Sequence, residues 1–193
     1  MIGPRAFAAL RRLRLALRSA AQRAYLRLAY NGIECHPSVR FGRGVRVRAF
    51  AGGTVSIGQG AFIQDDALLI AERGALIVGR EVQVGHGSLI ACHERIAIGD
   101  GTQIAEYVTI RDQDHRHGGE GRLAAQGFVS SPIEIGADVW LGAKVTVTRG
   151  VAIADRAVVG ANSVVTRSLP QAGTYVGAPA RPIAPVEPGR QSR

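Results

Sequence analysis

Two histidines and two aspartates fall within one short stretch, Arg111-Asp112-Gln113-Asp114-His115-Arg116-His117. A neutral imidazole near pH 7 can take a proton from a hydroxyl, and a neighbouring carboxylate or carbonyl can fix its tautomer. Composition alone fits a solvated polar loop equally well. The two cysteines, Cys35 and Cys92, are far apart and form no metal-type pair. They read as free thiols of a reducing compartment and receive no catalytic role.

The elements that must hold such a loop are written in a six-residue rhythm. Ile135, Leu141, Val147, Ile153, Val159 and Val165 recur without a break, with Val139, Val145, Val151, Ala157 and Ser163 four places after successive members. Neither the period of a helix nor that of an ordinary strand fits this spacing; it marks a parallel β-helix, in which three inward aliphatics close a turn of about eighteen residues. Upstream the phase returns as Ile33, Val39, Val45; Ile57, Ile63, Leu69; Val78, Val84, Ile90; and Ile98, Ile104, Ile110. The long slip between Ile110 and Ile135 is an inserted loop, and loops of that length in a compact repeat tend to be functional. Gly58, Gly79, Gly85, Gly99, Gly136, Gly142 and Gly160 each follow an inward aliphatic. They are expected to supply corner conformations that a Cβ opposes.

The 193 residues suit one domain with appendages: a basic amphipathic helix over 1–31, a β-helix over 32–168 with its insertion at 111–134, and a C-terminal loop and tail over 169–193. The last ten residues read as a frayed tail. Hydrophobic residues make up 46% and aromatics 5%, as an aliphatic column requires. The net charge is +9, and Arg5, Arg11, Arg12, Arg14, Arg18, Arg23 and Arg27 all precede the first acidic residue, Glu34. No nucleic-acid module or aromatic ladder accompanies them, so nucleic acid is not expected as a partner. In the helix, Leu10, Leu13, Leu17, Ala21, Ala24 and Leu28 form an apolar stripe. Packing of that stripe on the body of its own or a neighbouring subunit is the simpler reading. Contact of residues 5–27 with an anionic membrane surface is the other. No apolar run suggests a membrane span or a secretory signal, so a cytoplasmic location is expected, with peripheral contact at the inner membrane face as the variant.

From about Val78 to Ile183 the chain resembles the hexapeptide-repeat acyltransferases, in the branch of galactoside, maltose and nodulation-factor O-acetyltransferases. The motifs that carry the likeness are Ile98-Gly99-Asp100, Asp112-Gln113-Asp114-His115, Pro132 through Ala143 with Val139-Trp140-Leu141-Gly142, Gly160 through Arg167, and Gly177-Ala178-Pro179-Ala180-Arg181. The resemblance implies a left-handed parallel β-helix assembled as a homotrimer. It implies clefts between subunits that hold acetyl-coenzyme A, and no metal requirement. His115 matches the catalytic histidine of that family and His117 is its neighbour. Ala143 and Ala161 match corners that meet the pantetheine arm, while Thr166, Arg167 and Arg181 match positions that meet the nucleotide and its phosphates. Asp114, His86, His93 and Trp140 are the candidates for the acceptor side.

The chain departs from these relatives at Gly85-His86-Gly87, which lacks an Asn found in several of them, and at Cys92-His93-Glu94, which replaces an acidic pair. The basic helix also replaces the opening segment of the maltose type. The first two departures leave the identity of the acceptor open, and the third points away from a small free disaccharide and towards a nucleotide sugar, a glycan or a glycan precursor. Two alternatives use the same fold: a γ-type carbonic anhydrase with a zinc ion on three histidines, and a non-catalytic trimeric scaffold.

Overall fold

Aliphatic residues six apart become columns once the chain winds into coils, and the computed structural model describes this winding for residues 4–183. The tail read as frayed lies outside the described residues. Each coil lays one short strand on each of three faces. The first coil comprises Ile33–Cys35, Arg40–Phe41 and Arg46–Phe50; the second Thr54–Ile57, Phe62–Ile63 and Leu68–Glu72. The third comprises Ala75–Val78, Gln83–Val84 and Leu89–Cys92; the fourth Arg95–Ile98, Gln103–Ile104 and Thr109–Arg111. After the insertion come Ile133–Ile135, Trp140–Leu141 and Thr146–Val147, then Ala152–Ile153, Ala157–Val159 and Val164–Val165. Within each face, like-placed strands pair in parallel from coil to coil.

The register shows why the six-residue spacing works. Ile57, Val78, Ile98, Ile135 and Ile153 stack as one inward column on the first face. Ile63, Val84, Ile104, Leu141 and Val159 stack on the second, and Leu69, Ile90, Ile110, Val147 and Val165 on the third. All are buried. The first coil differs from the phase read in the sequence. Phe41 and Val47 occupy the column positions, while Val39 and Val45 hold the inward positions two residues earlier.

The glycines that follow the column residues serve a different purpose from the one expected. None of the seven takes a positive φ; left-handed corners fall two residues later, at Gly60, Glu81, Gly87, Gly101, Asp138, Lys144 and Asn162. What a side chain would meet at the seven is the next coil. A Cβ at Gly99 would lie 2.5 Å from the carbonyl carbon of Gly136, and one at Gly85 would lie 2.3 Å from that of Ala105. Glycine is needed here for close approach between turns.

Helix α1 (Pro4–Ala29) lies against the first coil. Its packed side is built from Leu15, Ser19 and Leu26, with Leu26 1% and Ser19 2% exposed. Ser19 Oγ donates to the Leu15 carbonyl and accepts the N–H of Phe41 at 2.9 Å, while Arg23 Nη1 donates to the Val39 carbonyl at 2.6 Å. Two outward backbone groups of the first coil are thereby satisfied. The expected stripe does not pack on this subunit's body, since Leu13, Leu17, Ala21, Ala24 and Leu28 are exposed. Polar links at Ser19 and Arg23 decide the docking face, and a count of leucines does not detect them.

Substituting Gly99→Ala should lower stability by about 1–3 kcal/mol, the usual cost of overpacking. Urea unfolding followed by circular dichroism would measure it; an unchanged midpoint would contradict the close-approach role.

Candidate active site

The insertion leaves the third face after Arg111 and rejoins the first at Ile133 without disturbing the ladder, since Ile96–Ile98 pairs directly with Ile133–Ile135. It forms an antiparallel hairpin of Gln113–His115 with Phe128–Ser130, and the intervening residues include one short helical turn at Leu123–Ala125. The root is fastened by Asp112, which is fully buried. Its carboxylate accepts the backbone N–H groups of His93, Glu94 and Arg95 at 2.7, 2.8 and 2.9 Å. Its carbonyl accepts Ser131 N–H at 3.0 Å, closing the far end of the hairpin. One carboxylate thus ties the loop to the turn of the coil below.

His115 is carried outward on this hairpin, exposed, with its ring against that of Phe128 at a centroid distance of 4.4 Å. Phe128 is also its cross-strand partner. Asp114 points to the other side of the strand and pairs with Arg149 Nε at 2.8 Å. Arg116 Nε donates to the Phe128 carbonyl at 2.9 Å, bracing the hairpin tip. A cavity of about 560 Å³ is lined by Asp114, His115, Arg116, His117, Val129 and Arg149. His117 is exposed beside it. Phe128 and Arg149 were not among the candidates read from the sequence; neither has a local motif that sets it apart.

The remaining candidates divide between two corners of the prism. His93 lies at the corner between the third and first faces, 6.0 Å from Phe128 by ring centroids. Two buried polar atoms at this root, His93 Nδ1 and Gln113 Oε1, lack a partner among the described residues. Thr166 and Arg167 follow the last third-face strand at that same corner, in line with Thr148, whose N–H donates to the Val165 carbonyl. His86, Ala143 and Ala161 line the other corner, between the second and third faces. There His86 Nε2 is 3.0 Å from the Tyr107 hydroxyl, and Nδ1 is 3.8 Å from Asp66. The Ala143 carbonyl accepts Asn162 N–H at 2.9 Å. Trp140, 55% exposed, stands on the outer side of the second face between Gln103 and Val158. Arg181 is exposed on the antiparallel strand Arg181–Pro182 that follows Gly173–Val176 on the second face. Within the chain the third face separates His115 from Ala143 and Ala161. Among the described residues, no three His, Cys, Asp or Glu side chains come together as a metal site would require.

The thiols stand apart from this chemistry. Burial pushes Cys35 up to about 11 and, with the negative charge of Asp112 adding to burial, Cys92 up to about 12, from an ordinary 9.0.

Residues 132–167 match the family model described as the hexapeptide repeat of succinyl-transferase. The chain is 35% identical over 147 residues to a probable acetyltransferase of Mycobacterium tuberculosis, covering 75% of this chain and 49% of that protein. It is 35% identical over 106 residues to the galactoside O-acetyltransferase of Escherichia coli, covering 55% and 52%. The chain therefore spans about half the length of these curated relatives. In fold it is similar to AntD, an N-acyltransferase from Bacillus cereus solved with dTDP and coenzyme A, at TM-score 0.68 and 19% identity over 84% of this chain and 88% of that one. Coils, repeat and matches define a left-handed parallel β-helix of the hexapeptide-repeat class. Within that class the chain is similar to acetyltransferases, the galactoside O-acetyltransferase among them.

Replacing Asp112 with Ala would leave three backbone N–H groups at a part-buried turn without their charged acceptor, and should cost about 3 kcal/mol while loosening the hairpin. Thermal unfolding together with faster protease cleavage between residues 113 and 130 would register both effects; an unaltered melt would remove Asp112 from this role. For the thiols, raised values in the folded state mean that their contribution to stability is complete below about pH 9 and is lost as the pH rises through 11–12. At pH 8 a thiol-specific disulfide reagent should find both slow in the native protein and both fast in urea. Rapid native labelling would contradict the burial.

Proposed function

We propose that this protein is an acetyl-coenzyme A dependent O-acetyltransferase that modifies a sugar hydroxyl of a glycan, a glycan precursor or a nucleotide sugar. The observation that carries the reading is the placement of His115. It projects from a hairpin tied by a buried carboxylate, its ring supported by Phe128, at the edge of a cavity with the Asp114–Arg149 pair alongside.

In the mechanism, an imidazole nitrogen of His115 takes the proton of the acceptor hydroxyl as its oxygen attacks the thioester carbonyl carbon. The tetrahedral intermediate collapses, the carbon–sulfur bond breaks, and the proton passes from His115 to the departing thiolate. The products are the O-acetyl sugar and coenzyme A. Holding donor and acceptor in one geometry supplies much of the acceleration. Ala143 and Ala161 meet the pantetheine arm through their backbones, and Thr166, Arg167 and Arg181 meet the nucleotide end, where a guanidinium forks well onto phosphate. His117, His93, His86, Asp114 and Trp140 surround the acceptor.

The division of these residues between two corners supports a working homotrimer. A threefold arrangement sets one subunit's third–first corner against its neighbour's second–third corner, so that His115 of one chain and Ala143 and Ala161 of the next complete a single cleft. The galactoside enzyme among the relatives supports a hydroxyl acceptor.

The decisive assay follows thiol release from acetyl-coenzyme A against sugars, nucleotide sugars and their amino counterparts, beside His115→Ala. Loss of a general base should lower kcat by roughly a hundred- to ten-thousandfold, with coenzyme A binding retained. Turnover of amino sugars alone would overturn O-transfer, and full activity in the variant would reject His115 as the base.

A further inference from the structure

Helix α1 turns three of its leucines away from the protein. Leu13, Leu17 and Leu28 are 55, 63 and 89% exposed. At 100° per residue they lie opposite Ser19 and Leu26, the side that meets the first coil. The same spacing places Arg14 and Arg18 along one border of this leucine stripe and Arg27 along the other. Next to the Arg14 border, between the helix and the first two coils, runs a groove of about 370 Å³ whose lining includes Phe7, Leu10, Arg11, Arg14, Arg18 and Arg43. Its one carboxylate, Asp65, is already paired with Arg43 at 3.0 Å. Arg11, Arg14 and Arg18 have no ion-pair partner among the described residues.

We propose that α1 is a docking surface for an anionic phospholipid bilayer. The leucine stripe lies at the boundary between headgroups and acyl chains, and the guanidinium groups of the groove contact lipid phosphates. An apolar face bordered by arginines is the pattern of a helix lying in the interface plane. The described helix does not qualify as a span, since no helix is long and apolar enough to cross a membrane. A second copy is a poorer occupant. Two such helices meeting stripe to stripe would bring their arginine borders together with no acidic residue on either one. Free phosphate would leave the leucines unused. The inference rests on α1 alone and stands whatever reaction the β-helix catalyses.

The test is co-sedimentation of the full chain with phosphatidylcholine vesicles and with mixed phosphatidylcholine–phosphatidylglycerol vesicles, alongside light scattering for oligomeric mass. Binding is expected on the mixed vesicles only, weakening as salt rises. Combining Arg14→Gln with Arg18→Gln should weaken it about twenty- to thirtyfold, on about fivefold per guanidinium. Combining Leu13→Gln, Leu17→Gln and Leu28→Gln should abolish it with the melting temperature unchanged. Absence of binding, or equal binding to both vesicle types, would overturn the proposal. So would a leucine variant that changes the oligomeric mass but keeps its vesicle binding, which would assign the stripe to a neighbouring copy.

Discussion

Every coil donates backbone hydrogen bonds to the next, and this contact between turns governs the rest of the molecule. Neighbouring strands lie about 4.8 Å apart, so the corners leave no room for a Cβ where Gly58, Gly79, Gly85 and Gly99 stand. The same spacing fills each face of each coil with a column residue and a second inward residue two places earlier, aliphatic at Val82, Val139 and Val145 and small at Ala61, Ala67, Ala157 and Ser163. Where hydroxyls occur inside, they bridge turns. Ser88 donates to the Ala105 carbonyl and accepts Val108 N–H, and Thr102 donates to the Gly136 carbonyl. The prism is stiff because each turn is held along its whole length by the turns on either side.

A stiff prism suits a reaction that needs its base in a fixed place. The hairpin is an excursion from one corner, and Asp112 joins it to the coil below through three main-chain donors instead of through a mobile side-chain contact. The Asp114–Arg149 pair then ties the hairpin to the coil above. His115 stands between these two attachments with an aromatic ring at its back. The loop is long, but its first and last few residues share the rigidity of the coils.

The aliphatic columns were legible because six-residue spacing is a strict geometric demand: from Ile57 to Val165 each residue read as inward occupies a column position. The first coil misled because Val39 and Val45 are themselves inward, so aliphatic character alone could not separate the two possible phases there. Glycine positions were legible and their reason was not, since a clash with the next turn depends on which coil lies above. The docking side of α1 was hidden for a related reason. Ser19 and Arg23 hold it through groups of the first coil that a helical pattern does not contain. In the candidate site, the histidines announced themselves by clustering, whereas Asp112, Phe128 and Arg149 acquire their roles from partners far away in the chain or buried beneath it.

A stack of parallel coils has two raw edges, and each could recruit more chain into an endless rod. Here the first edge is blunted where Ser19 and Arg23 occupy the outward N–H of Phe41 and the outward carbonyl of Val39. At the opposite end, the reversed strand Arg181–Pro182 lies against Gly173–Val176 and offers an imino nitrogen with no hydrogen to give. The length of the particle is therefore set by its two stoppers. A chain stripped of either one would be prone to fibrillar growth even though every column inside it remained intact.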